Sequence, residues 1–133
     1  MIGISAFDKF SIYENDGTDN FVFSYTINLG SSSYQIRTLE LNHDKTILIV
    51  SIHNSLSFYV YTSESGSQFS LNQTINLQHQ ASWRPSLTSD SRYLVVGDQI
   101  NSVYCIQIYT YNTATKQFDP PADPTLISVS HRI

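Results

Sequence analysis

A self-similarity of about 48 residues constrains the fold of this chain more than any other feature. The segment Thr26–Leu29 recurs as Thr74–Leu77, and the same spacing separates three tyrosines, which are Tyr13, Tyr61 and Tyr109. Repeats of this length are typical of proteins built by stacking one small unit on copies of itself, because a single unit buries too little apolar surface to be stable alone. The sequence therefore predicts a repeat protein.

The residues inside one unit indicate β-strands. Leu41–Val50 aligns with Leu87–Val96, and each copy has a polar turn that contains an aspartate, Asp44 in the first and Asp90 in the second. The apolar runs are short, and nine Tyr and seven Phe favour pleated strands over helices. We predict an all-β fold in which both aspartates accept backbone hydrogen bonds in their turns. Three further matching positions are aromatic, namely Phe21, Phe69 and Phe118.

Each unit is predicted to contain four short antiparallel strands. The predicted bounds are Gln35–Leu41 and Trp83–Thr88 for the first strand, Thr46–Ile52 and Tyr93–Asp98 for the second, and Phe21–Leu29, Phe69–Leu77 and about Phe118–Ile127 for the fourth. The third strand ends in the repeated tyrosine. Three prolines between Asp119 and Pro124 are incompatible with a central strand, so we expect them to bulge an outer strand.

These strands resemble the blades of WD40-type β-propellers. Ser86–Gly97 is similar to the first hairpin of such a repeat, and Val60–Thr62 and Ile108–Thr110 stand where WD40 repeats carry a hydrophobic-Trp-Asp ending. Tyr and Thr replace the Trp and Asp here, and the Gly-His pair that often opens a WD40 repeat is missing. The resemblance implies a partial propeller with degenerate blades, in which the repeated tyrosines pack between blades.

The repeat divides the chain into incomplete and complete blades. We predict a blade remnant at 1–29 that opens at a third strand near Phe10, blades at 30–77 and 78–126, and the start of another at 127–133, about two and three-quarter blades in all. Closed propellers generally have four to eight blades. Three arrangements remain open: a piece of a larger propeller, a ring closed by several copies of the chain, or a compact two-sheet sandwich.

Charge and composition exclude several classes of function. A net charge of −4 without a basic stripe disfavours nucleic acid as a partner, and no apolar run is long enough to form a membrane helix. The first residues lack a basic segment typical of a signal peptide, which predicts a cytoplasmic or nuclear location. One cysteine and four scattered histidines give no zinc-ligand spacing, so we expect no metal and no cofactor.

Few residues are candidates for chemistry. No nucleophile elbow is present, and Cys105 lies in an apolar strand, where it is expected to act as a small buried residue rather than a thiolate. No catalytic residue is therefore predicted. Trp83 and Arg84 are adjacent at the start of a first strand, and both residue types are frequent in recognition hot spots, so we predict a binding role for this pair.

The function expected from these features is a non-enzymatic scaffold that binds a protein or peptide through its loops. One alternative is a propeller enzyme, either a lactonase-like hydrolase or an oxidoreductase, in which acidic side chains gather at the central channel. Glu40 is the clearest such residue on a predicted inner strand. The other alternative is a carbohydrate-binding propeller whose repeated aromatic residues stack on sugar rings.

Overall fold

The chain folds into short antiparallel β-strands arranged in three sheets. The computed structural model describes residues 1–6, 8–30, 35–53, 55–64, 68–77, 85–122 and 125–126. The strands in these ranges are β1 (Ile2–Ala6), β2 (Lys9–Asn15), β3 (Phe21–Asn28), β4 (Ile36–Leu41), β5 (Ile47–Ile52), β6 (Ser57–Thr62), β7 (Ser70–Asn76), β8 (Ser86–Leu87), β9 (Tyr93–Ile100), β10 (Val103–Asn112), β11 (Gln117–Asp119) and β12 (Thr125–Leu126). The described part of the chain contains no helix with the length and apolar character needed to cross a membrane.

Strands that are consecutive in sequence are neighbours in each sheet. The first sheet is β1-β2-β3, the middle sheet is β4-β5-β6-β7, and the third is β8-β9-β10-β11, with β12 also paired to β10. This is the four-stranded meander of a propeller blade. The predicted all-β fold of antiparallel blades is therefore confirmed, with the middle and third sheets as blades and the first sheet as a blade with three strands.

The first sheet has one strand more than the sequence predicted. We expected the chain to open at a third strand near Phe10, but β1 precedes it and pairs with β2 along five residues, from Ile2 opposite Tyr13 to Ala6 opposite Lys9. A Cβ atom at Gly3 would lie 3.2 Å from Leu39 Cδ1, so β1 packs closely on the first strand of the middle sheet. The first residues of the sequence thus form a strand of the first sheet.

The outer strands carry a repeated irregularity. In the first sheet the register with β2 shifts between Ile12 and Tyr13, and in the middle sheet the register with β6 shifts between Val60 and Tyr61, one repeat later. In the third sheet the outer strand is interrupted at the equivalent position. Pro120 directly follows β11, and the outer strand continues only as β12. Proline is tolerated at bulges because it cannot donate a ladder hydrogen bond.

The middle sheet is packed between the other two sheets. All six residues of β5 are buried. Leu48, Val50 and Ile52 contribute to a core shared with the first sheet, while Ile47 and Ile49 contribute to a core shared with the third sheet. Successive side chains of a strand point to opposite faces, so a strand covered on both sides is apolar throughout.

Candidate functional site

The first strand of the middle sheet borders a groove, here called the inner-strand groove. It has a volume of about 460 Å³ and is lined by Arg37, Thr38, Leu39, Glu40 and Leu41, all on β4. In a propeller the first strand of each blade lies nearest the central channel, where ligands of propeller proteins have access to several blades. The groove is therefore the candidate functional site among the described residues.

A β-bulge sets the direction of Arg37. Ile36 is opposite Ile52 and Thr38 is opposite Ser51, so Arg37 is the extra residue of the bulge. The Thr38 and Ser51 hydroxyl groups are hydrogen-bonded to each other beside it. Bulges of this kind redirect a side chain and are frequent near active sites. The bulge leaves the Arg37 side chain exposed, so a guanidinium group is available at the groove.

Glu40 connects the first strands of two sheets. Its Oε1 atom accepts a hydrogen bond from the backbone N–H of Leu87 on β8, with an N···O distance of 2.9 Å. The side chain is only partly buried. A carboxylate held by a backbone donor is fixed in orientation. The groove thus presents one positively charged and one carboxyl-bearing side chain on the same strand.

A second polar cluster lies inside the third sheet. Asp98 is 2% exposed, and its Oδ2 atom accepts a hydrogen bond of 2.6 Å from Gln107 Nε2. The Tyr109 hydroxyl donates to Gln107 Oε1 over 3.3 Å. Cys105 is directly opposite Asp98, and burial raises the pKa of its thiol, with the charge of Asp98 adding to the effect. This thiol is protonated at neutral pH and is a poor nucleophile.

The repeated tyrosines occupy matching places in the three sheets. Tyr61 is buried in the core between the first and middle sheets. Its ring packs edge-on against the ring of Phe10, with 5.6 Å between the ring centroids. Tyr109 is buried in the core between the middle and third sheets. Tyr13 lies on the first sheet and contacts the ring of Phe23 at 5.8 Å. Two of the three tyrosines therefore lie between sheets.

The two predicted turn aspartates differ in their contacts. Asp90 Oδ1 accepts hydrogen bonds from the Thr88 hydroxyl (2.6 Å) and from the Arg92 backbone N–H (3.1 Å). Asp44 is exposed, and the acceptor in its turn is the buried Asn42, whose Oδ1 atom binds two backbone N–H groups. The sequence comparison missed Asn42 because it aligned the aspartates by type.

The remaining predicted positions are placed as follows. Phe69 and Phe118 are buried in the two cores, whereas Phe21 is 48% exposed. Trp83 and Arg84, the predicted recognition pair, lie outside the described residues. Among the residues that the structure does describe, no group of three or more His, Cys, Asp or Glu side chains is arranged to hold a metal ion.

Comparison with solved structures shows the fold to be shared with lactonase propellers. A periplasmic gluconolactonase from Pseudomonas aeruginosa superposes with a TM-score of 0.65 at 12% identity, over 89% of this chain and 34% of its own. A protein from Bacteroides uniformis, provisionally named a 6-phosphogluconolactonase, has a TM-score of 0.70 at 14% identity over 90% and 35% of the two chains. A similarly named protein from Bacteroides fragilis has a TM-score of 0.68 at 14% identity, over 90% of this chain and 33% of its own.

These similarities cover only part of each solved structure. The chain spans about a third of the length of these structures. No protein-family model matches the sequence, and no curated protein matches it. A β-propeller-like fold is therefore supported, whereas no match to the WD40 family is found.

Two predictions from the sequence are corrected by the same comparison. The non-enzymatic scaffold that binds a protein or peptide is wrong as the leading function, and so is the expectation that the chain is not an enzyme, because the similar structures carry the names of lactonases. A predicted β-propeller fold does not distinguish a scaffold from an enzyme, since the same fold hosts both.

Sequence reasoning identified one of the two charged groove residues. The sequence predicts Glu40 as an acidic residue on an inner strand, whereas the structure adds Arg37 to the same groove. The signal available was an arginine within the predicted strand Gln35–Leu41. A bulge cannot be predicted from this short alternating pattern, because it depends on the register that β4 adopts against β5.

Proposed function

We propose that this chain supplies blades to a propeller hydrolase that opens lactones. The observation that carries the proposal is the inner-strand groove, which places Arg37 and Glu40 on one first strand of a fold shared with proteins named as lactonases. The hydrolase alternative considered from the sequence thus becomes the preferred function. The substrate is a cyclic ester of a polar, sugar-like acid, by analogy with those names.

The chemistry of lactone hydrolysis fits the two groove side chains. A water oxygen attacks the carbonyl carbon, the bond between that carbon and the ring oxygen breaks, and the ring oxygen leaves as a hydroxyl group. A carboxylate that takes a proton from the attacking water assists the first step, and it returns that proton to the ring oxygen as the bond breaks. A cation next to the carbonyl oxygen stabilises the negative charge that develops there. Glu40 is assigned the first role and Arg37 the second.

The contact between Glu40 and Leu87 supports this assignment. The Leu87 N–H holds one carboxyl oxygen at 2.9 Å and so fixes the plane of the carboxylate relative to the groove. A general base is most effective when its position does not have to be reached during the reaction. The bulge at Arg37 has the corresponding effect on the guanidinium, since it directs an otherwise regular strand residue outward.

The test is lactone hydrolysis by the purified chain, measured with gluconolactone and its 6-phosphate and corrected for spontaneous opening. We expect Glu40→Gln to lower the rate by about 100-fold or more. The amide oxygen of Gln still accepts the Leu87 N–H, so this variant keeps the structural bond and loses only the base. Glu64→Gln is the matched control, because Glu64 is exposed and paired with Lys116 away from the groove.

Two results would contradict the proposal. One is a folded chain that does not exceed the spontaneous rate with either lactone. The other is hydrolysis that Glu40→Gln and Arg37→Ala leave unchanged, which would place the reaction elsewhere in the molecule.

A closer relation of these blades to WD40 repeats is a separate proposal about ancestry. It is supported by the hairpin Ser86–Gly97 and by the hydrophobic-Tyr-Thr endings at Tyr61 and Tyr109. Homologous sequences that carry Trp-Asp at those two endings would strengthen it, and their consistent absence would count against it.

A further inference from the structure

The third sheet leaves one apolar face uncovered. Ile108 is 42% exposed, whereas Val60, its equivalent one repeat earlier, is fully buried. Ile106 is likewise partly exposed, and its equivalent Phe58 is fully buried. Val60 and Phe58 belong to the core that the third sheet closes over the middle sheet. The face of Ile106 and Ile108, here called the trailing face, therefore has the apolar character of a covered surface without a cover in the described structure.

The first sheet leaves the opposite face uncovered. Phe21 is 48% exposed, whereas its equivalents Phe69 and Phe118 are 5% and 1% exposed. Tyr13 is on the same face by its position in the repeat and is partly exposed, whereas its equivalent Tyr61 is only 6% exposed. We call this surface the leading face. Exposed aromatic surface of this kind marks an interaction site more often than a solvated surface.

The two internal junctions show what covers each face. In both, a trailing face lies against a leading face: Phe10 and Ile12 share a core with Tyr61 and Phe69, and one repeat later Phe58 and Val60 share a core with Tyr109 and Phe118. The same positions meet each time. The trailing face of the third sheet and the leading face of the first sheet are therefore the two halves of a third junction of this type.

We propose that a second copy of the chain forms this junction, with the trailing face of one copy packed on the leading face of the next. Such a contact joins different surfaces of identical chains, so it is head-to-tail and extends into a ring when its rotation closes. A ring would place the inner-strand groove of every copy around one channel. The proposal concerns assembly and stands whether or not the groove hydrolyses lactones.

The test uses two variants that each destroy one face. Ile108→Glu places a charge on the trailing face, and Phe21→Glu places one on the leading face. We expect the unaltered chain to assemble, and each variant alone to have the mass of one chain, 15.1 kDa, by light scattering. An equimolar mixture of the two variants still contains one intact face of each kind. It is expected to form a pair of twice the 15.1 kDa mass and nothing larger.

The controls separate this contact from other kinds of association. Leu71→Glu changes an equally exposed apolar residue on the outer strand of the middle sheet, which already has a neighbour on both faces, and is expected to leave the assembly intact. If a Glu variant loses its β-sheet circular dichroism spectrum, the milder Ile108→Ser or Phe21→Ser replaces it. An unaltered chain that is monomeric at every concentration overturns the proposal. So does a mixture of the two variants that stays monomeric, or a single variant that still assembles.

Discussion

The middle sheet and the third sheet carry the same repeat, yet they are buried to different extents. Every residue of β5 in the middle sheet is buried, whereas buried and partly exposed residues alternate along the equivalent strand β9. The sequences follow this difference, since Ile47–Ile52 has a single polar residue and Tyr93–Ile100 contains Gly97, Asp98 and Gln99. The two sheets have the same order of strands, so the difference in burial follows from the number of neighbouring sheets that each one has.

The comparison also separates the two kinds of contact that join the sheets. Apolar side chains fill the space between sheets, and a few polar side chains connect their edges. Gln73 on β7 is an example, since its side chain both donates to the Phe118 carbonyl and accepts from the Phe118 N–H, each at 2.8 Å. At the preceding junction the Tyr25 hydroxyl accepts from the Phe69 N–H at 3.0 Å. The same place in the repeat is therefore used for the same bond.

The largest expected effect is the loss of a phenylalanine from a covered face. Phe118→Ala removes a side chain that is buried between the middle and third sheets, and we expect it to lower the free energy of unfolding by about 3–5 kcal/mol. Phe21→Ala makes the same change at the equivalent place on the uncovered leading face. There we expect a loss below about 1 kcal/mol, because half of the side chain is already in water.

Urea unfolding followed by circular dichroism measures both values. The measurement is made at a protein concentration low enough to keep the chain monomeric. Assembly would bury Phe21 and so increase the loss of stability caused by Phe21→Ala. Similar losses for the two variants would show that the first sheet is covered in the isolated chain, which would contradict the difference in exposure between Phe21 and Phe118.

A smaller effect is expected at the turns that join the first and second strands of the two complete blades. Asn42 is buried, accepts from the N–H groups of Thr46 and Ile47 at 2.8 Å each, and donates to Ser91 Oγ of the third sheet at 3.1 Å. Asn42→Ala leaves two backbone donors without this acceptor, and we expect a loss of about 2–3 kcal/mol. Asp90, in the equivalent turn of the third sheet, is exposed, and Asp90→Ala should cost clearly less.

The two turns share the same backbone, which makes the comparison well matched. Lys45 and Ser91 both adopt the left-handed conformation, with φ of 60° and 61°, one at each turn. If the two substitutions destabilise equally, the burial of Asn42 and its contact with Ser91 add little to the stability that the turn provides. Urea unfolding of both variants in one series decides this.

The repeat predicted the fold well because β-propeller blades are local structures. Each strand pairs with the next strand in sequence, so the period of the repeat and the alternation of residues contain most of the topology. The strands β9 and β10 are longer than their counterparts β5 and β6, and a two-residue turn joins them at Asn101 and Ser102, both with positive φ.

The site was less predictable because it depends on register and on contacts between repeats. The exposure of Arg37 follows from one extra residue opposite Ser51, and the orientation of Glu40 follows from a bond to Leu87 in the next sheet. Neither is encoded in a local pattern. The strand β1 could not be predicted for a related reason. Its sequence differs from those of β5 and β9, which hold the same position in their sheets, and only its pairing with β2 shows that position.

The smallest expected effect is a loss of stability at alkaline pH that comes from the covered tyrosines. Burial raises the pKa of Tyr61 and of Tyr109 above the ordinary value of 10.0, and the negative charge of Asp98 adds to the effect at Tyr109. The unfolded chain then loses these protons at a lower pH than the folded chain does. Stability contributed by the two groups is therefore complete below pH 10 and falls as the pH rises from 10 towards their folded pKa values. Unfolding measured between pH 9 and pH 11 should show this fall, and the double variant Tyr61→Phe/Tyr109→Phe should reduce it, since phenylalanine cannot ionise. An unchanged pH dependence in the double variant would mean that the hydroxyl groups reach water despite the burial of the rings, and that the covered faces are dry only around their apolar side chains.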